Sequence, residues 1–282
     1  MTILYVTDLH GDKNKYEKIF NIAVSKDIKV IINGGDMLPK QSNRHIDQPI
    51  FINDYLKDYF KRLREYDIKY LAMLGNDDLL SVDKLFDEVC NEFSNVYNIA
   101  QNKVKINNYE FIGMNYILDH PFGCKDRVVM EDNYIFQRQL LPYALISNDT
   151  DYTIIPNWIE YAIKHLPKMC DILNELPKPD NHLDTIYITH IAPAGLKLGQ
   201  LLYQNLDIGS VDIYNFFKEK QPLLTLHGHI HEAPDTKTGK WMNAIGKTTC
   251  INTGQTEINN DTLIYATIDL ENKIYSKKKT RC

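Results

Sequence analysis

Two stretches near the start of this chain decide its fold: ILYVTDLHG over residues 3–11 and KVIINGGD over residues 29–36. Each begins with an apolar, β-branched run and then reaches an aspartate, which is the pattern of a buried strand followed by a polar loop. Apolar residues recur at helical spacing between them, from Ile19 to Ala23, so residues 1–36 are predicted to form a βαβ unit. The two strands of such a unit lie parallel and side by side, and their carboxyl ends share one edge of the sheet.

Potential metal ligands continue this pattern along the chain. Further strands are predicted over residues 68–74, 185–189 and 223–226. The metal-binding side chains that follow the predicted strands are Asp8, His10, Asp36, Asn76, His190, His227 and His229. Since ligands of open α/β sheets collect at the carboxyl ends of the strands, these side chains are expected to meet at one site.

The chemistry of this set indicates a binuclear metal centre. Carboxylate, amide and imidazole donors together suit Mn, Fe, Zn, Ni or Co better than Ca or Mg, which prefer oxygen ligands. Asp36 lies centrally in the series and is predicted to bridge two divalent ions, which are roughly 3.5–4 Å apart in such sites.

The ordered motifs resemble those of prokaryotic calcineurin-like metallophosphoesterases. The family pattern of Asp-x-His, Gly-Asp, Gly-Asn-x-Asp/Glu, a lone His and Gly-His-x-His is matched by Asp8-Leu9-His10, Gly35-Asp36, Gly75-Asn76-Asp77-Asp78, His190 and Gly228-His229-Ile230-His231. Each motif alone is weak, but an ordered set in which each motif follows a predicted strand rarely arises by chance. The resemblance implies an α/β fold, namely a four-layer α/β/β/α sandwich of two mixed β-sheets flanked by helices.

The resemblance also implies two ligand sets and a reaction. Asp8, His10, Asp36 and His229 would hold one ion, and Asp36, Asn76, His190 and His227 the other. His231 is expected to orient the site or face solvent, with a direct metal role as the lesser alternative. The implied reaction is hydrolysis of a phosphate ester by a hydroxide that bridges the ions, with catalytic roles for Asp36, Asn76, Asp77, Asp78 and His190.

Asp77 departs from the family pattern. Many phosphomonoesterases of the family have a histidine here, which contacts the phosphate and can protonate the leaving group. An ionised aspartate would repel the phosphate and could donate no proton. By analogy with relatives, the substitution favours a phosphodiester substrate, with a phosphomonoester as the alternative. Asp78 is predicted either to orient a ligand side chain from behind or to begin the helix expected from Val82.

Other polar residues are assigned by position. Arg44 and His45 are predicted in the loop after the second strand, where they either bind the phosphate or are ordinary solvated residues. His120, His165 and His182 have no partner at recognisable spacing and are expected to be structural or on the surface.

The remaining segments predict how the chain is organised. We expect one domain over residues 1–282, with a cap or insertion at about 115–182 in which residues 157–173 form a helix. Residues 95–114 are predicted to form a hairpin that completes the first sheet. Residues 241–246, 249–252 and 262–270 are predicted strands of a second sheet.

Composition limits the partners and the location. The chain has 282 residues, 44% hydrophobic and 24% charged, and a formal net charge of −5, with dispersed basic residues that suggest no nucleic-acid groove. A small phosphate ester is therefore the expected partner, and the oligomeric state stays open. The strand that begins within two residues of Met1, the absence of a long apolar run and five cysteines without a pairing pattern predict a cytoplasmic protein.

Two other functions fit part of the pattern. A catalytically silent protein on the same fold could bind partners, but its ligand positions would be expected to be missing. A mononuclear hydrolase of amide or ester bonds is the second alternative, and the predicted bridge at Asp36 argues against it.

Overall fold

A computed structural model describes residues 1–41, 43–132, 134–202, 206–256 and 261–282. The strands are β1 Thr2–Val6, β2 Val30–Asn33, β3 Lys69–Ala72, β4 Val96–Asn98, β5 Lys103–Ile106, β6 Tyr109–Met114, β7 Tyr143–Ser147, β8 Tyr152–Pro156, β9 Thr185–Thr189, β10 Leu224–His227, β11 Met242–Ile245, β12 Thr248–Asn252, β13 Thr262–Asp269 and β14 Ile274–Arg281. The helices are α1 Lys13–Ser25, α2 Arg44–Ile50, α3 Lys57–Glu65, α4 Asp83–Asn91, α5 Trp158–His165, α6 Met169–Glu175 and α7 Val211–Lys220.

The first sheet contains the predicted βαβ unit. Its strand order is β14-β13-β1-β2-β3-β4, with β1 to β4 parallel and β13 antiparallel to β1. Asp269 of β13 lies opposite Thr2 of β1. The prediction that residues 262–270 belong to the second sheet is therefore wrong, because this strand returns to pair beside the start of the chain.

The second sheet has the order β11-β12-β10-β9-β6-β5. Its four inner strands are parallel, and the two edge strands are antiparallel to their neighbours. The predicted hairpin at Asn107-Asn108 is present between β5 and β6. It belongs to this second sheet and not to the first, because β6 runs parallel to β9. Only β4 of the segment 95–114 joins the first sheet.

Alternation along the strands separates three apolar layers. In β1, Ile3 and Tyr5 belong to the core shared by the two sheets, whereas Leu4 and Val6 belong to the core under helices α1, α3 and α4. A third core lies on the outer face of the second sheet, with α5, α6 and α7. This arrangement confirms the four-layer α/β/β/α sandwich of two mixed sheets.

Arg44 and His45 lie in a helix and not in a loop as predicted. The Asn43 side chain accepts the N–H of His45 and caps α2 at its amino end. The helical stretch continues through a π-helical turn over Phe51–Leu56 into α3. The helical stretch therefore begins at Arg44, and Pro49 is accommodated in the last turn of α2.

The insertion over residues 115–182 packs on the outer face of the second sheet. It contains the hairpin of β7 and β8 and the two helices α5 and α6. The single helix predicted over residues 157–173 divides at Pro167, because proline disfavours helical geometry in the residue before it and has no N–H for a helical bond. No helix of the described residues is long and apolar enough to cross a membrane.

Candidate metal centre

Strained backbone marks the strand ends that carry the predicted ligands. Asp8, His10, Asp36 and His229 all have positive φ, at 57°, 47°, 52° and 67°. L-residues seldom adopt this left-handed region, and such outliers concentrate at functional sites, where surrounding bonds hold them. Here the N–H of Asp8 donates to the carbonyl of Gly35, and the N–H of His10 to the carbonyl of Asp36. Loops from β1 and β2 are thereby locked together.

One group of ligand atoms comes from Asp8, His10, Asp36 and His231, and these atoms lie within 4.8 Å of one another. The Nε2 atoms of His10 and His231 are 3.1 Å apart. His231 Nε2 is also 3.5 Å from Asp8 Oδ1, and His10 Nε2 is 4.0 Å from Asp36 Oδ2. Two imidazole nitrogens converge on two carboxylates, which is a donor set that suits a divalent transition metal.

A second group comprises Asp36, His190 and His229. His190 Nε2 lies 3.5 Å from Asp36 Oδ2, and Asn76 Oδ1 lies 3.0 Å from His190 Nε2 and 2.6 Å from His229 Nδ1. Asn76 therefore belongs to this group through its amide oxygen. Asp36 is common to both groups, as expected for a bridging carboxylate.

Buried polar atoms that lack hydrogen-bond partners among the described residues show that these residues fit metal ions. Asp8 Oδ2 and His229 Nε2 are buried and have no hydrogen-bond partner in the described part of the chain. A buried polar atom without a partner costs about 1–3 kcal/mol. Coordination to an ion would satisfy both atoms.

Asp36 and His190 shift each other's pKa in opposite directions. Burial opposes ionisation of the Asp36 carboxyl, but the charge and hydrogen bond of His190 dominate with other neighbours and hold its pKa well below the ordinary value. Burial likewise opposes protonation of His190, yet Asp36 raises its pKa to about 9. Burial lowers the pKa of His10 to about 3. A cation bound at the centre would compensate the negative charge of Asp36 in the same way.

His227 is not brought into this cluster, which corrects its predicted placement. Its ring nitrogens lie 2.9 Å from Thr189 Oγ1 and 2.8 Å from Thr225 Oγ1, and its ring packs against Phe217 of α7. His227 is the last residue of β10, so alternation turns it to the outer face while Leu226 faces the core between the sheets.

Two glycines permit close approach at the centre. A Cβ on Gly75 would lie 2.2 Å from Asp36 Oδ1, and a Cβ on Gly228 would lie 2.0 Å from Thr7 Oγ1 and 2.8 Å from Asp8 Oδ2. Any larger residue would displace a carboxylate.

Asp78 ties two of the ligand loops together from behind. Its carboxylate accepts the N–H groups of Met37 and Gly75, at 2.9 and 2.8 Å, and of Leu38 at 2.8 Å. Burial and the charge of Asp36 raise the pKa of Asp78 to about 7. The Asp78 carboxylate thus contacts the backbone of the ligand loops, whereas the predictions were that it orients a ligand side chain or begins the helix, and α4 begins only at Asp83.

Arg127 supports the same loop from the insertion. Its Nε donates to the carbonyl of Gly75 at 2.7 Å, and its Nη1 donates to Asp83 Oδ2 at 3.1 Å. The Arg127 side chain is 2% exposed and that of Asp83 is 37% exposed. The insertion is therefore part of the framework that holds Asn76.

Asp77 points toward basic side chains at the rim. Its Oδ2 accepts from Lys40 Nζ at 3.2 Å, and Arg44 Nη1 lies 4.0 Å from its Oδ1. Burial and the charge of Asp36 raise the pKa of Asp77, and Lys40 and Arg44 oppose this rise. A cavity of about 460 Å³ opens here, lined in part by Asp36, Lys40, Arg44 and Asp77. His45 instead packs edge-on against Tyr152 of β8.

Lys40 and His120 were not predicted as site residues, and a direct metal role for His231 was only the lesser alternative. His231 could have been found, because the Gly-His-x-His motif itself pairs it with His229. Lys40 had no signal in the sequence. His120 of the insertion stacks on His229 with ring centroids 4.8 Å apart, and both its buried ring nitrogens lack a partner among the described residues. Burial, aided by Lys125, lowers the pKa of His120 to about 3.

Comparison with known proteins places the chain in a family. The model of the calcineurin-like phosphoesterases matches residues 1–233, so the chain belongs to this family. No curated protein matches the sequence.

Solved structures share its fold. TT1561 of Thermus thermophilus is 16% identical with a TM-score of 0.56, over 98% of this chain and 97% of that chain. A dimetal phosphatase from Danio rerio is 9% identical with a TM-score of 0.52, over 95% of this chain and 91% of that chain. At these identities the likeness shows the fold alone.

Proposed function

We propose that this calcineurin-like phosphoesterase is a binuclear metal-dependent hydrolase that prefers phosphodiesters. The observation that carries the proposal is the meeting of two ligand groups at Asp36. A shared carboxylate with separate imidazoles on each side is the arrangement that a pair of ions requires and a single ion does not.

The geometry supports two changes to the ligand sets predicted from the sequence, since His231 replaces His229 in the first set and His229 replaces His227 in the second. Asp8, His10, Asp36 and His231 would hold the first ion, and Asp36, Asn76, His190 and His229 the second. His227 would hold neither. The metals, of the Mn, Fe, Zn, Ni or Co class, would when bound polarise the phosphoryl oxygens and supply hydroxide at neutral pH.

The chain's own residues do the positioning. Asp36 is held by the N–H of Asp77, which donates to its Oδ1 at 2.9 Å. The Nδ1 of His190 lies 2.9 Å from the carbonyl of Gly34, which orients the opposite nitrogen toward Asp36. The N–H of His229 donates to Asp8 Oδ1 at 3.1 Å, so loops from the two sheets are joined at the centre.

The preference for diesters rests on Asp77. A phosphomonoester carries more negative charge than a diester at neutral pH, so an acidic side chain at the rim penalises it more. The alternative is a phosphomonoesterase with the same site. A catalytically silent binding protein remains the other alternative, and a cytoplasmic location stays a prediction.

The test is turnover of bis-p-nitrophenyl phosphate and p-nitrophenyl phosphate in parallel, with metal-stripped protein resupplied with Mn, Ni, Co, Zn or Mg. We expect metal-dependent hydrolysis, faster for the diester. A faster monoester would reverse the substrate preference. Two bound ions without hydrolysis of either ester would favour the silent binding protein, and a single bound ion would contradict the binuclear centre.

A further inference from the structure

The rim of the metal centre carries one amine that the ligand sets do not use. Lys40 Nζ lies 3.2 Å from Asp77 Oδ2 and 3.2 Å from His10 Nε2. Its side chain is 28% exposed and lines the same cavity as Asp36 and Asn76. It therefore adjoins both solvent and the ligand atoms of the first group.

Hydrogen bonds from Gln48 hold the backbone on both sides of the Lys40–Asp77 contact. The buried Gln48 amide donates to the carbonyls of Pro39 and Asp77, each at 3.0 Å, so it joins the residue before Lys40 to the Asp77 backbone. Gln48 Oε1 also accepts the N–H of Leu79 at 2.9 Å, so the Gln48 side chain binds the backbone at three residues. Arg44 Nη1 adds a contact of 3.4 Å to the Asp77 carbonyl.

Charge balance indicates what Lys40 contacts when the site is loaded. An ammonium close to His10 Nε2 would be repelled by a divalent ion held there, unless an anion lies between them. A phosphate group on the ions supplies that anion. Asp77 offsets part of the charge of Lys40 and Arg44 but is a single carboxylate facing two cations.

We infer that Lys40 donates a hydrogen bond to the scissile phosphate and that Asp77 is a positioning residue that aims Lys40 at it. The inference rests on the proposed function, because it places the phosphate on the two ions. It gives the acidic residue beside the phosphate site a second role, since Asp77 also acts through Lys40 besides repelling a more highly charged monoester.

The first experiment measures binding of inorganic phosphate to metal-loaded protein by titration calorimetry. Lys40→Met keeps the length of the side chain and removes the donor, and the dissociation constant should rise about ten- to a hundredfold. Metal analysis should still find both ions. Lys84→Met is the matched control, because Lys84 is 89% exposed and, among the described residues, forms only an i,i+4 pair with Glu88, so binding should not change.

The second experiment tests Asp77 by a double-mutant cycle. Asp77→Asn should weaken phosphate binding and raise KM for bis-p-nitrophenyl phosphate in the wild-type background. In the Lys40→Met background it should no longer weaken phosphate binding, because the side chain it positions is gone. Independent, multiplicative effects of the two changes would show that Asp77 does not act through Lys40.

The outcomes separate this inference from the proposed function. Unchanged phosphate affinity in Lys40→Met with both ions bound would overturn the role of Lys40 even if the esters are hydrolysed. A wild-type protein that binds both ions but no phosphate would overturn it as well. Weakened phosphate binding in Lys40→Met, with no ester hydrolysed by the wild type, would leave the subsite standing and refute the hydrolase.

Discussion

Replacing Arg127 tests whether the insertion stabilises the metal loop. Arg127→Ala removes the Nε bond to the Gly75 carbonyl, whose other donor, the N–H of Asp78, is farther away at 3.3 Å. Loss of this buried bond costs about 1–3 kcal/mol. The ion pair with Asp83 contributes about 1 kcal/mol at most, because Asp83 is partly exposed to solvent.

Together the two losses amount to about 1–4 kcal/mol, and a value of about 3 kcal/mol is within the range for breaking a buried charged network. In urea this lowers the unfolding midpoint by roughly 1 M, for a slope of about 3 kcal/mol per M. Because Asn76 directly follows Gly75, the affinity for the ion that Asn76 would hold should also fall, by about tenfold. Equilibrium unfolding of the metal-free protein and a metal titration measure the two effects.

Arg62→Ala is the matched control. Arg62 forms a similar two-bond pair with Glu17, at 2.7 and 2.8 Å, but both side chains are 39% exposed and join helices α3 and α1. We expect a loss of about 1 kcal/mol and no change in metal affinity. If Arg127→Ala unfolds within about 0.5 kcal/mol of the wild type and binds both ions equally well, the reasoning on Arg127 is wrong.

Three further predictions address the metal centre itself. Asp36→Asn should abolish turnover and weaken binding of both ions, while circular dichroism shows that the protein stays folded. Asp27→Asn changes an exposed aspartate with the same φ of 52° and should leave turnover and metal binding unchanged. His231→Ala should weaken one ion in a metal titration with little loss of stability, whereas His227→Ala should keep both ions and cost about 2–4 kcal/mol in urea unfolding; the opposite pattern would restore the ligand set predicted from the sequence. Asp77→His should raise the ratio of monoester to diester turnover with the two nitrophenyl esters, and an unchanged ratio would remove the reason to favour diesters.

Local patterns were sufficient for the strands that carry the ligands. The apolar runs before Asp8, Asp36, Asn76 and His190 are short and β-branched, and each forms a strand within two residues of its predicted bounds. The apolar pattern of such a run arises from the burial of that one strand. It therefore predicts where a strand ends and which polar residues follow it.

The error at His227 has a physical cause in the same periodicity. The strand was predicted to end at Leu226, but β10 includes His227. Side chains alternate between faces along a strand, so one residue decides whether a side chain faces α7 or the centre. Ile230 then separates His229 from His231, and both of these histidines reach the centre because the chain has left the strand.

Pairing between distant strands was not predictable from local patterns. Strand β13 and the β5–β6 hairpin were both predicted as strands, yet each was assigned to the wrong sheet. An apolar, alternating run indicates that a strand buries one face, but it does not specify the partner strand.

The same limit explains why the residues around the ligands were missed. Arg127 reaches Gly75 across a sequence separation of 52 residues, and Lys40 reaches Asp77 across 37. Neither contact leaves a spacing that a motif could record. Most of the candidate ligands follow predicted strand ends and are readable in the sequence, whereas the side chains that hold the ligand loops, and Lys40 at the rim, depend on tertiary packing. Variants of Lys40 and Asp77 therefore test the proposed substrate preference more directly than variants of the ligands, which are needed for either ester.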